Sequence, residues 1–171
     1  MRTKTAFAIF AGFIGVIAAQ PAAAQKTTAN YPPVFVLGEE DDDGLISCGL
    51  TYAAAIDRIR SRLNAAGVPV GTEEQAVTQQ ALTFYVNLNV APIIMDGEDA
   101  GSCYGGVNVH LASYAVLDEP VSGDSRFAML AFCIDGFTFT LSRNSLRRSI
   151  LNELDTKVTY CLNEWNSSRE A

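Results

Sequence analysis

Between Leu82 and Val90 the chain alternates without a slip: Leu82, Phe84, Val86, Leu88 and Val90 are apolar, and Thr83, Tyr85, Asn87 and Asn89 stand between them. A period of two fits a strand with one face on a core and the other open, and it does not fit a helix. The following run, roughly Tyr104 to Leu117, repeats the pattern. Val107, Val109, Leu111, Ala115 and Leu117 share one face, and Asn108, His110 and Tyr114 share the other. A hairpin whose loop centres near Glu98 pairs Asn89 with Asn108 and Asn87 with His110, so that both polar sets land together.

A third strand is predicted over about Arg126 to Leu141, broken at Asp135-Gly136. It is apolar on both faces and must be covered on both or bulged. Upstream, Leu50, Ala54, Ile56, Ile59 and Leu63 recur at helical spacing until Gly67 stops them, and a short helical turn is expected over Thr72 to Gln80. Downstream, Leu146, Ile150, Leu154, Val158, Cys161 and Trp165 form one stripe of a closing helix that begins near Arg143 to Ser145. Val34 to Leu37, after Pro32-Pro33, has the length and composition of a short edge strand. The resulting fold class is α+β: a three-stranded antiparallel meander with two helices on one face, in the order helix, strand, strand, strand, helix.

Four cysteines, Cys48, Cys103, Cys133 and Cys161, are an even set without a C-x-x-C, which reads as two disulfides and not as a redox motif or zinc knuckle. Geometry selects the pairing. From Leu141 back to Cys133 the third strand descends about 26 Å at 3.3 Å per residue. From Arg143 to Cys161 the last helix descends about 27 Å at 1.5 Å per residue. Cys133 therefore comes level with Cys161, and Cys48 and Cys103 fall together at the opposite end.

The compartment agrees. Arg2 and Lys4, the apolar run Ala6 to Ala19, and Ala22 and Ala24 before Gln25 have the three parts of a secretory signal peptide. The domain reading is a signal peptide over 1–24, a leader and acidic turn over 25–44, one α+β domain over 45–166 and a tail over 167–171. The expected location is a periplasm, or the medium, after cleavage. No Cys lies where a lipid anchor would be attached, and no run reaches the roughly 20 residues of a transmembrane helix. Loss of Arg2 and Lys4 leaves ten basic residues against 19 acidic ones. Such a chain lacks the footprint of a nucleic-acid binder and is repelled by anionic membranes.

Chemistry-bearing motifs are few. Glu39, Asp41, Asp43 and Gly44 resemble the opening of a calcium loop, but the twelfth position is Leu50 where a bidentate Glu is required. The better reading is an acidic turn feeding a helix N-terminus. Gly105-Gly106 lacks the strand, loop and helix of a phosphate cradle and points to a bulge or a close backbone approach. Arg143, Arg147 and Arg148 oppose the helix dipole and should pair with acids or face a partner. One histidine, His110, excludes a multi-histidine zinc site, and neither Ser47 nor Ser113 has a nucleophile context. No catalytic residue, metal or cofactor is assigned.

What remains is the polar sheet face of Tyr85, Asn87, Asn89, Asn108, His110 and Tyr114. Amides and rings on a rigid strand face give directed hydrogen bonds and stacking area for a sugar, peptide or other small polar ligand. The order of elements, with Phe84 to Val90 and the helix end Cys161 to Trp165, resembles that of small exported bacterial proteins, without implying any catalytic residue. The expected function is an exported binding or protein-interaction module, with a small polar ligand or an envelope protein as partner. The alternatives are a small hydrolase using His110 with Asp96, Glu98 and Asp99 of the first hairpin loop, and a structural subunit of an envelope complex.

Overall fold

The computed structural model describes residues 31–76, 81–118 and 121–169. The expected signal peptide and most of the leader lie outside the described residues. The elements are β1 (Val34–Leu37), α1 (Asp43–Ser47), α2 (Tyr52–Ala65), α3 (Glu73–Ala76), β2 (Leu82–Met95), β3 (Glu98–Asp118), β4 (Ser125–Ser142) and α4 (Arg143–Ser167). The sheet has four strands in the order β1-β2-β3-β4, so the expectation of three antiparallel strands is corrected. The edge run Val34–Leu37 joins parallel to β2, with Val34 opposite Leu82 and Leu37 opposite Tyr85. A parallel pair needs a long crossover, and the helical segment between β1 and β2 supplies it.

The alternation in β2 does what its period requires. Phe84, Val86, Leu88 and Val90 are buried under α1, α2 and α4, together with Val107, Val109 and Leu111 of β3. The register is displaced by two residues from the expected one. Asn87 lies opposite Asn108, Tyr85 opposite His110 and Asn89 opposite Gly106. The reason is a tighter turn. Asp96 and Gly97 both have positive φ, 53° and 86°, and join Met95 directly to Glu98. A two-residue turn with both centres left-handed matches the strand twist. An irregularity between Pro92 and Ile94 takes up the difference, where the missing N–H of Pro92 is tolerated. The shift is even, so every side chain keeps its face.

β4 is continuous, and its irregularity is not at Asp135-Gly136. Leu111 pairs with Cys133 and Ala112 with Ala131, leaving Phe132 as the extra residue of a bulge. Before the bulge the odd-numbered residues Phe127, Met129 and Ala131 lie opposite Val116, Tyr114 and Ala112, on the open side; after it Cys133, Phe137 and Phe139 belong to the helix-covered side. That exchange is why the strand reads as apolar on both faces.

α2 begins two residues after Leu50, where the apolar pattern starts. Thr51 caps it through Ala54 N–H, and the buried face is Tyr52, Ala55, Ile59 and Leu63. The acids before it are used as caps. Asp42 Oδ1 accepts from Leu45 N–H at 2.7 Å, and Asp41 Oδ1 from Tyr52 N–H at 2.6 Å. The expected stripe of α4 is buried in full, with Leu162 added. Arg58 binds Asp155 through two hydrogen bonds of 2.9 and 2.5 Å, tying α2 to α4. Both disulfides form as expected, Cys48 with Cys103 and Cys133 with Cys161.

Candidate functional site

All six residues of the predicted polar face stand on the side of the sheet away from the helices, but they do not form one site. They divide into two depressions with a hydrogen-bonded cluster between them.

The first depression is an open trough of about 660 Å³ lined by Asn89, Tyr104, Gly106, Asn108, Thr138 and Thr140, with Gly105 and Phe139 at its base. Tyr104 lies opposite Thr140, Gly106 opposite Thr138, and Asn89 opposite Gly106. Two amides, two hydroxyls and a half-exposed phenol ring therefore surround a position with no side chain. The two glycines differ. A Cβ at Gly105 would sit 2.0 Å from Asn89 O, so the close approach of β2 and β3 demands glycine there. At Gly106 the nearest atoms to such a Cβ are 3.6 and 3.8 Å away, ordinary contact distances, and φ is not positive. Nothing in the backbone requires Gly106. Its effect is to keep the trough clear, against the usual cost of glycine inside a strand.

The second depression, of about 220 Å³, is lined by Leu37, Thr83, Tyr85, His110, Ala112, Tyr114 and Met129. The Tyr85 and His110 rings are 5.7 Å apart, and Tyr114 stacks on Phe127 at 5.0 Å. Among the described residues Thr83 Oγ1 is one of few buried polar side-chain atoms without a hydrogen bond.

Between them, Tyr85 donates its hydroxyl proton to Glu39, and Asn87 Nδ2 donates to Tyr85 Oη at 3.3 Å. The Tyr85 hydrogen bond, followed by that of Asn87, holds the Glu39 carboxyl below the ordinary range. The same bond to Glu39 pushes the Tyr85 phenol up, with burial adding to it. Asn87 and Tyr85 are thus spent on orienting Glu39 and are less available to a ligand than the sequence suggests. On the helix side, Tyr52 Oη accepts from Leu88 N–H at 2.9 Å and lies 3.2 Å from Leu88 O and 3.5 Å from Glu39 Oε2. Burial raises its pKa first of all.

No protein-family model and no curated protein matches the chain. Several solved structures resemble it distantly, among them the following two. Rare lipoprotein B from Shewanella oneidensis has 10% sequence identity and a TM-score of 0.33, over 79% of this chain and 96% of that one. A neuraminyllactose-binding hemagglutinin homologue from Helicobacter pylori has 15% identity and a TM-score of 0.34, over 78% and 84%. At that level of likeness the site stands on its own residues.

The residues of the hydrolase alternative are not brought together. His110 lies opposite Tyr85 and Glu98 opposite Met95, ten residues further along β2, or about 33 Å at 3.3 Å per residue. Asp99 is instead ion-paired with Arg143, fixing the hairpin to the start of α4. Tyr104, Thr138 and Thr140 were not singled out by sequence reasoning. Their signal was present, since Thr138 and Thr140 alternate with Phe137, Phe139 and Leu141, but the face they occupy follows only from the position of the bulge.

Proposed function

We propose that this chain is an exported, periplasmic binding module whose trough holds a neutral, hydroxyl-rich ligand of the chemistry of a sugar ring. The observation that carries this reading is Gly106, a strand glycine without a backbone reason, at the centre of a ring of uncharged donors and acceptors. Asn89 and Asn108 offer paired donors and acceptors, Thr138 and Thr140 offer hydroxyls, and Tyr104 offers a flat face. No charged side chain lines the trough, which favours an uncharged ligand. Two disulfides suit an oxidising compartment.

The test is isothermal titration of the disulfide-intact chain with N-acetylglucosamine, maltose and a disaccharide from peptidoglycan, beside Gly106→Val and Asn108→Ala. Binding that Gly106→Val abolishes and Asn108→Ala weakens about tenfold supports the reading. Equal binding by Gly106→Val removes it. N-terminal sequencing of the exported product should begin at Gln25.

A structural subunit of an envelope complex is a second reading, favoured by the far end of the β3–β4 hairpin. Beyond Ala112 these strands run past β2, and Val116, Phe127, Met129 and Leu130 are exposed. Phe127→Glu should then remove a discrete crosslinked species from the envelope without lowering the melting temperature.

A further inference from the structure

The aromatic depression beside Tyr85 and Tyr114 differs in chemistry from the trough. Gly106 and Ala112 are six residues apart on β3, about 20 Å, so the two do not overlap. Three rings, a thioether, a leucine and an alanine wall it; the Tyr85 hydroxyl is held by Glu39, and the buried hydroxyl of the lining that lacks a partner is that of Thr83. Thr83 is 7% exposed, and its Oγ1 has no hydrogen-bond partner. A buried polar atom left unpaired is destabilising, and valine would fill the same volume without that penalty. An apolar cavity of about 150 Å³ is large enough for benzene, so about 220 Å³ accommodates one ring with a small substituent.

We propose that this cavity binds a single aromatic ring carrying one uncharged hydrogen-bonding atom, the ring lying among Tyr85, His110, Tyr114 and Met129 and the polar atom pairing with Thr83. A free phenol-like molecule and the side chain of a tyrosine in a peptide share this chemistry. Tyr85 cannot take the polar role, because its hydroxyl is committed to Glu39. The site is independent of the trough and stands whether or not the trough holds a sugar.

The experiment is a nitrogen-15 NMR titration of the disulfide-intact protein with phenol and with toluene, which differ only in the capacity to hydrogen-bond. The expected result is saturable shifts at Thr83, His110, Ala112 and Tyr114, with phenol the tighter. Thr83→Val should weaken phenol about threefold or more and leave toluene within about twofold. Ala112→Leu, which fills the cavity from the strand beside Thr83, should block both, and Gly106→Val should block neither. Absence of saturation at these residues, unchanged phenol binding by Thr83→Val, or phenol binding by a folded Ala112→Leu overturns the proposal. So does loss of phenol binding in Gly106→Val. Acetylated Gly-Tyr-Gly binding more tightly than p-cresol would assign the ring to a polypeptide, and the reverse ranking to a free molecule; failure of both overturns the site.

Discussion

Asp135 and Lys157 meet at 3.0 Å on the helix-covered face of the sheet, in a row otherwise made of Cys133, Phe137 and Phe139. Lys157 also lies 5.8 Å from the centre of the Phe137 ring and 3.8 Å from Glu153. The Lys157 hydrogen bond is the main reason that the Asp135 carboxyl titrates below its ordinary range; burial works against it, and Gly136 N–H adds to it. A carboxyl with a depressed folded-state pKa stabilises above its unfolded value, about 3.9, and that contribution is lost as pH falls through the folded value. Asp135→Asn should therefore lower the urea midpoint near pH 7, and the gap to the wild type should shrink as the pH falls below the unfolded value and through the lower folded one. A gap that persists at low pH would mean the asparagine acts through packing instead of charge.

The neighbouring glycines of β3 should respond in opposite directions. Gly105→Ala places a methyl 2.0 Å from Asn89 O, and forced overpacking of this kind costs about 1–3 kcal/mol. Gly106→Val meets no such obstacle and should be neutral or stabilising by about 0.5–1 kcal/mol. Chemical denaturation of the two single variants checks both signs.

Tyr52→Phe should cost about 1–3 kcal/mol, because it leaves Leu88 N–H on a covered strand edge without its 2.9 Å partner. β1 ends at Leu37, opposite Tyr85, so beyond that point the edge of β2 depends on Tyr52 and on the approach of α1. Hydrogen exchange at Leu88 should accelerate more than at Val86.

Removal of each disulfide, as paired Cys→Ser variants, should lower stability by about 2–4 kcal/mol. The sequence separations are 55 for Cys48–Cys103 and 28 for Cys133–Cys161. In the loop-entropy picture the longer loop is worth about 0.6 kcal/mol more, so the Cys48–Cys103 variant should melt first. The reverse order would point to strain in the native bridge.

The strands β2 and β3, the closing helix and both disulfides were legible because each depends on a period or a rise per residue that the chain repeats without interruption. Phe84 to Val90 and Leu146 to Trp165 are such runs. β1 was visible as an edge strand, but its parallel partner was not, since four residues carry no record of direction. The register was missed by two because Asp96-Gly97 makes a tighter turn than a loop centred at Glu98, with Pro92 absorbing the excess. Its even size preserved the faces, and so the candidate residues remained on one side. Their division into a trough and an aromatic cavity was not legible. It depends on Phe132, the single extra residue that decides which β4 side chains join Asn108 and which join Tyr114.

The two disulfides share one property of placement: Cys103 and Cys133 belong to strands, and Cys48 and Cys161 to the helical layer. Neither bridge closes a strand on a strand or a helix on a helix. Together they act as pins through two stacked plates, resisting sliding of one layer over the other while adding little to the internal order of either. Reduction should therefore leave strands and helices formed but free to shear, and the geometry of the outer face, supported only from behind by that layer, would blur before the secondary structure does.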